Sequence, residues 1–214
     1  MLIYNLDEYI TTYKTLKRDF KLRSSNNYVE FVTANGNKMY YNKSNKFAKG
    51  LYLFSLVKKD IFNYLKDCGE VEPYEELPVN YHNPSYNTSN KTIGVDINNA
   101  YWSVAYLKGY ISENTYTKGI SKKEFKAIRL SALSTLGKGK VYKVYKEGVY
   151  SHDEVHQVDE RLQDIYQDIR FTTYGVMREC AELLEDDFCS WKTDCVFFKD
   201  TEENKNKVTQ LLES

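Results

Sequence analysis

Asp96 stands where a carboxylate can bind a metal ion. It lies near the end of residues 91–97, a short run with the pattern of a buried strand, and Asn98 or Asn99 can cap a helix directly after it. The end of a strand holds a carboxylate still, and a helix N-terminus beside it favours a negatively charged substrate phosphate. Taken alone, an aspartate that caps its own helix explains the same pattern.

Asp194 is a second candidate of the same kind. Residues 188–200 have the pattern of a tight hairpin, and Asp194 lies in its turn or on its return strand, next to the apolar residues 196–198. A carboxylate that enters an apolar strand is costly to bury unless it is paired or bound to a metal. Taken alone, an ion-paired hairpin residue again explains the pattern.

Three segments in order resemble the palm motifs of family B DNA polymerases. Residues 94–102 (GVDINNAYW) resemble the first motif, in which an aspartate follows a strand and a tyrosine lies five positions later. Residues 129–138 (RLSALSTLGK) resemble the second motif, and residues 190–198 (SWKTDCVFF) resemble the third. The resemblance covers about residues 92–200, and nothing in residues 1–90 matches the exonuclease domain of that family.

The resemblance implies two-metal nucleotidyl transfer with Mg²⁺, or with Mn²⁺ in its place. Asp96 and Asp194 would bind both ions, and the main-chain carbonyl of Ile97 would complete the shell of one. Tyr101 would lie under the sugar and exclude a 2′-hydroxyl group. Arg129 would contact the incoming triphosphate, because a guanidinium is a good bidentate ligand for phosphate.

Three lysines are further candidates for contact with substrate phosphates. Lys126 precedes Arg129 by one turn of the same expected helix, and Lys138 follows the second motif. Lys192 stands two residues before Asp194, where the family has another aspartate. The partners that the resemblance implies are a DNA primer–template, deoxynucleoside triphosphates and a replication protein, in a compact phage or mobile-element polymerase.

Two other interpretations of the sequence stay open. Lys192 and the short distance between the motifs fit a palm that has lost activity and serves as a DNA-binding or replication accessory protein. The motifs can also be coincidental, in which case the chain is an interaction protein. Retention of both aspartates favours the enzyme.

The composition limits the class of protein without selecting a function. The 214 residues include 42% apolar and 28% charged residues, with 30 basic and 30 acidic side chains, so nonspecific coating of nucleic acid by bulk charge is excluded. The four cysteines form no CxxC pair, which argues against a zinc site or a disulfide framework. No apolar run reaches the roughly 20 residues of a membrane span, and we expect a cytoplasmic protein.

The N-terminal region of residues 1–69 is expected to contain two helices and a hairpin. Apolar residues recur at helical spacing over residues 2–20 and 51–67. Between these helices, Asn35-Gly36 separates two strand-like runs at 28–33 and 38–41. All three prolines lie in residues 70–90, which we interpret as a linker.

Residues 91–214 are expected to form a palm-like domain with reduced fingers. A helix is predicted over residues 121–136, since Ser121 and Glu124 have the spacing of a capping box. Further elements are a helix at 98–107, a strand pair at 140–150, a long helix at 153–185, the hairpin at 188–200 and a last helix at 201–213. This order predicts an α+β fold in which helices back an antiparallel sheet.

Overall fold

The computed structural model describes residues 1–25, 28–43, 52–68 and 70–213, and this part of the chain has an α+β fold. Its seven α-helices are α1 (Leu6–Thr15), α2 (Tyr52–Cys68), α3 (Ala100–Leu107), α4 (Glu113–Ile120), α5 (Lys126–Ser134), α6 (Glu160–Leu184) and α7 (Glu202–Glu213). Its nine strands are β1 (Phe20–Ser24), β2 (Tyr28–Thr33), β3 (Lys38–Asn42), β4 (Asn80–His82), β5 (Thr92–Asp96), β6 (Lys140–Lys146), β7 (Val149–His156), β8 (Phe188–Lys192) and β9 (Cys195–Lys199).

The strands form two antiparallel sheets. The first has five strands in the order β3-β2-β1-β6-β7, and the second has four in the order β4-β8-β9-β5. The five-stranded sheet therefore combines strands from residues 20–42 with strands from residues 140–156. Because β1 pairs with β6, these two distant parts of the sequence share one sheet.

Each sheet has one apolar face covered by helices. In the five-stranded sheet, Phe20 and Phe31 stack with ring centroids 5.0 Å apart and pack against tyrosines of α1. In the four-stranded sheet, Val196 and Phe198 are fully buried in a cluster that also contains residues of α6 and α7. A third cluster joins α2, α3, α5 and α6. The second face of each sheet is left for polar side chains.

Both predicted hairpins are confirmed. The first pairs β2 with β3 across the Asn35-Gly36 turn, with Gly36 at a φ of 78°, which glycine adopts without steric cost. The second pairs β8 with β9, and the strand pair expected at 140–150 is β6 with β7. The antiparallel α+β class is confirmed as well, since these pairs build both sheets.

The helix predicted over residues 121–136 is wrong in its first third, and the capping box does not form. Ser121 ends α4, and its hydroxyl donates to the carbonyl of Lys118 at 2.7 Å. A short 3₁₀ turn at Lys123–Phe125 then precedes α5. Helix α4 was not predicted from the sequence, because its eight residues ENTYTKGI include just two large apolar side chains, Tyr116 and Ile120.

The long helix starts seven residues later than its predicted beginning at 153, because residues up to His156 belong to β7. Asp159 caps α6 by accepting a hydrogen bond from the backbone N–H of Arg161 at 3.1 Å. The helices expected over 2–20, 51–67, 98–107 and 201–213 are present as α1, α2, α3 and α7 with shorter or slightly shifted ends. The ends at Leu51 and Gly69 lie outside the described residues.

The proline-rich segment 70–90 contains β4, which pairs with β8 at the edge of the four-stranded sheet. The Trp191 indole N–H donates to the carbonyl of Pro78 at 3.1 Å, which fastens the segment to the same strand. Within the described ranges, none of the helices is both long and apolar enough to cross a membrane.

Candidate functional site

Strand β5 places Asp96 on the open face of the four-stranded sheet. Its apolar residues Ile93 and Val95 pack toward the helices, whereas the alternating positions, including Asp96, are exposed. The partner of Asp96 across the sheet is Cys195 of β9. Gly94 permits β5 to lie close to β9, since a Cβ atom at position 94 would lie 2.8 Å from the ring of Phe197, its register partner.

Asp194 lies in the two-residue turn between β8 and β9. The turn requires a φ of 59° at Thr193, a conformation that costs free energy for a β-branched residue. The Asp194 carbonyl accepts a hydrogen bond of 2.9 Å from the backbone N–H of Ile97, which directly follows Asp96. The fold therefore brings the two aspartates to the same end of two neighbouring strands, although 98 positions separate them in sequence.

Asp96 and Asp194, which we call the carboxylate pair, influence each other electrostatically. The pKa of Asp194 is raised by its burial and by the negative charge of Asp96, and the cation of Lys126 opposes this rise. Burial and the same two carboxylates raise the pKa of the Cys195 thiol, which keeps it protonated. Two neighbouring carboxylates held in this way favour the binding of a cation.

Arg129 is a buried cation on the wall beside Asp194. The residue is 5% exposed, and its guanidinium donates to the carbonyl of Gly119 at 2.5 Å and to the side-chain oxygen of Asn99. Among the described residues it has no carboxylate within 4.0 Å, and burial lowers its pKa. A buried guanidinium without a counter-ion is suited to an anionic ligand.

Tyr101 is oriented by a hydrogen-bonded series of side chains. Its hydroxyl lies 3.2 Å from the hydroxyl of Tyr174 on α6, and the Arg170 Nε donates to Tyr174 at 3.3 Å. Burial, Tyr174 and the charge of Asp194 all raise the pKa of Tyr101, so its hydroxyl stays protonated. The ring is therefore held half-buried beside the carboxylate pair.

A pocket joins most of the residues that the sequence singles out. It is lined by Ile97, Asn99, Ala100, Tyr101, Trp102, Lys126, Arg129, Leu130, Leu133 and Asp194. Asp96, Lys138 and Lys192 do not line it, and Asp96 lies next to its rim as the neighbour of Ile97. Lys138 is exposed between α5 and β6, and Lys192 is exposed across β9 from Asp96, as the register partner of Cys195.

The donor set of the site fits a hard divalent cation. Mg²⁺ takes one or two carboxylates and fills the remaining positions with water and phosphate oxygens. Within the described part of the chain, no group of three or more Asp, Glu, His or Cys side chains converges, so a protein-only cage is absent there. The Ile97 carbonyl accepts a long bond of 3.4 Å from the Ala100 N–H and retains a lone pair for a metal.

Three residues contribute to the site without a signal in the sequence that marks them as functional. The sequence indicates Asn99 only as a helix cap, yet it accepts from Arg129 and adopts a φ of 60° without capping α3 through its side chain. Tyr174 and Arg170 lie on the long helix 73 and 69 positions after Tyr101, and no local pattern connects them.

We found no match for the chain among protein-family models, among curated proteins or among solved structures. Function is therefore inferred from the geometry of the carboxylate pair and its pocket.

The burial of Asp194 and its repulsion by Asp96 together predict an unusual effect on stability. A carboxyl group whose pKa is raised by folding binds its proton more tightly in the folded state, so stability falls as pH rises above the ordinary value of 3.8. Asp194→Asn is therefore expected to stabilise the metal-free protein at pH 7 by on the order of 1 kcal/mol, a few degrees in Tm. Thermal unfolding in EDTA measures this shift.

The control has the opposite sign. Lys205 and Lys91 lower the pKa of Asp200 to about 2, so its carboxylate stabilises the fold at neutral pH. Asp200→Asn should lower the Tm under the same conditions. A lower Tm for Asp194→Asn as well would contradict the proposal that the Asp194 charge destabilises the metal-free fold.

Proposed function

We propose that the protein is a minimal family B-like DNA polymerase, which adds deoxynucleotides to the 3′-hydroxyl of a primer. The observation that carries the proposal is the placement of Asp96 and Asp194 at one end of neighbouring antiparallel strands. The four-stranded sheet would then be the palm, and the helices α6 and α7 would support it from behind.

In this reaction the 3′-oxygen of the primer forms a bond to the α-phosphorus of the nucleotide. The bond from that phosphorus to the pyrophosphate breaks, and the hydroxyl proton passes to solvent. Mg²⁺ ions held by the carboxylate pair would neutralise charge on the reacting oxygens. Arg129 and Lys126 would bind the triphosphate, since they bring two cations to the pocket beside Asp194.

The cations of the pocket also match the negative charge of a triphosphate. Arg129 lacks a carboxylate partner among the described residues, and Lys126 is exposed at the first position of α5. A triphosphate brings several negative charges and would satisfy both cations. The exposed ε-ammonium of Lys192, directly before the turn, is available to a phosphate of the primer strand.

Primer extension tests the proposal. The wild-type protein is incubated with a labelled primer–template, the four deoxynucleotides and either Mg²⁺ or Mn²⁺. Lengthening of the primer that depends on the template and on the metal is the expected result. A protein that binds the primer–template but never lengthens it would refute the enzyme and favour the accessory protein.

Tyr101 is expected to select the sugar through its ring. Tyr101→Ala should raise incorporation of ribonucleotides relative to deoxynucleotides by at least about tenfold, which corresponds to about 1.4 kcal/mol. Tyr101→Phe retains the ring and should retain the discrimination. Single-nucleotide incorporation with each type of triphosphate measures the ratio.

Tyr106→Ala is the matched control, because Tyr106 lies on the same helix and is 36% exposed against Tyr116 instead of lining the pocket. Its discrimination should equal that of the wild type. If Tyr101→Ala leaves the ratio unchanged in an active protein, Tyr101 does not select the sugar.

A further inference from the structure

The five-stranded sheet has a polar face that the carboxylate pair does not use. Strand alternation directs Arg23 of β1, Glu30 of β2 and Tyr40 of β3 to this face, and the register places them in one row. Lys140 and Tyr142 of β6 lie on the same face. The large apolar residues Phe20, Phe31 and Met39 of these strands point to the other side, toward α1.

Glu30 is the centre of this face and is almost completely buried, with 2% exposure. Its carboxylate accepts hydrogen bonds from Tyr142 at 3.0 Å, from Tyr40 at 3.4 Å and from the Arg23 guanidinium at 3.2 Å. The Lys38 ammonium lies 3.9 Å away. One buried carboxylate therefore already has two cations beside it.

Two further cations lie nearby and lack carboxylate partners. Lys140 is half-buried, and its pKa is lowered by burial and by the positive charges of Lys58, Arg23 and Lys38. Among the described residues, neither Lys140 nor Lys58 has a carboxylate oxygen within 4.0 Å. We call Arg23, Lys38, Lys58 and Lys140 the basic cluster, and Glu30 contacts the first two of them. Glu154 also lies on this face, in register with Tyr142, and is already paired with Lys21 at 2.6 Å.

A structural role for Glu30 accounts for only part of this arrangement. One or two cations are enough to neutralise a buried carboxylate, and each additional cation at short range adds repulsion. An anionic ligand with several charges would remove the repulsion. On the same face, Tyr28 lies half-buried beneath the Arg23 guanidinium, 5.6 Å from its ring centroid, and in edge contact with Tyr40.

We propose that this face binds a single-stranded nucleic acid, with the basic cluster contacting its phosphates and Tyr28 contacting a base. Repeated phosphates match cations from three strands and from α2, and a tyrosine among cations provides a surface on which a base can stack. The identification of this strand as the template rests on the proposed polymerase function, whereas the binding of a single strand to this face does not.

The test measures the affinity of the full chain for a labelled oligothymidylate of about 12 nucleotides, a length that suits one binding face. Fluorescence anisotropy is recorded in EDTA without nucleotides over a range of salt concentrations. Lys140→Gln and Lys58→Gln should each weaken binding several-fold and reduce the slope of log affinity against log salt by about 0.7.

Lys143→Gln is the matched control, because Lys143 lies on the same strand as Lys140 and faces the opposite side, in register with Leu22. Its affinity and slope should equal those of the wild type. Equal losses at Lys143 and Lys140, or no loss at Lys140 and Lys58, would overturn the proposal. So would a wild-type protein that does not bind the oligonucleotide.

Two further measurements distinguish this face from the metal site and from a site for an acidic protein. Asp96→Asn should bind the single strand with the affinity of the wild type. The binding test is therefore independent of whether the carboxylate pair binds metal and supports polymerisation. Polyglutamate at equal charge should displace the oligonucleotide poorly, because it has no bases to stack. Equally effective displacement would show a site for an acidic protein and would refute binding of nucleic acid.

Discussion

Asp96→Asn and Asp194→Asn are each expected to reduce nucleotide incorporation at least about a thousand-fold, a loss of roughly 4 kcal/mol in transition-state stabilisation. Asparagine has nearly the same size as aspartate, so the turn between β8 and β9 and the pairing of β5 should persist. What each variant loses is one negative charge of the carboxylate pair. Single-turnover primer extension in Mg²⁺ measures the loss.

Asp186→Asn is the control for this result. Asp186 is exposed in the short 3₁₀ turn that precedes β8, and it lies away from the pocket. Its rate should remain within about twofold of the wild type, since surface substitutions of this kind are nearly neutral. Aspartate variants of the pair that incorporate nucleotides as fast as this control would exclude catalysis at the pair.

Asp168→Ala is expected to have the largest effect on stability. Asp168 is 2% exposed on α6, and its carboxylate accepts from the Tyr110 hydroxyl at 2.5 Å and pairs with Lys108 at 3.3 Å. Burial and this carboxylate raise the pKa of Tyr110. Because Lys108 is itself exposed, the main loss is the hydrogen bond that the buried Tyr110 hydroxyl donates to this carboxylate, which costs about 1.5–3 kcal/mol and is measured by urea or thermal unfolding.

Asp164→Ala provides the comparison one turn earlier on the same helix. Asp164 is half-buried and makes only a long contact of 3.5 Å with the Tyr74 hydroxyl. We expect its substitution to cost less than about 1 kcal/mol. Equal losses for the two alanine variants would mean that the Asp168 network contributes little, and that helix propensity dominates.

The elements that were predicted well have signals within a few residues. The Asn35-Gly36 turn, the apolar stripe of α2 and the alternation in β6 each follow from local preferences, and the structure has all three. The Ser121 and Glu124 signature failed because the residues before Ser121 already form a helix. Ser121 therefore serves the end of α4 instead of the start of α5.

The sequence predicts which residues form the candidate site but not the contacts that orient them. Asp96, Tyr101, Arg129 and Asp194 belong to segments that resemble polymerase motifs, so the sequence alone singles out each of them. The contacts that orient them join distant positions, such as the Tyr101 and Tyr174 hydroxyls. Periodicity and spacing report on neighbours along the chain, and tertiary contacts of this kind leave no trace in them.

The polar face of the five-stranded sheet shows the same limit. In the sequence Lys140 is one of several basic residues, whereas its proximity to Arg23 and Glu30 depends on the pairing of β1 with β6. The pairing connects segments more than 100 positions apart in the sequence. A net charge of zero gives no indication that Arg23 and Lys38 pair with one buried carboxylate beside Lys140.

Binding of Mn²⁺ in the presence of a deoxynucleoside triphosphate tests the carboxylate pair most directly. Electron paramagnetic resonance counts the free ion as the protein is titrated, with Asp186→Asn as the control. We predict that the wild type and the control bind Mn²⁺ and nucleotide together, and that Asp96→Asn and Asp194→Asn lose this Mn²⁺ binding. Unchanged Mn²⁺ binding in both aspartate variants would contradict a metal site at the carboxylate pair.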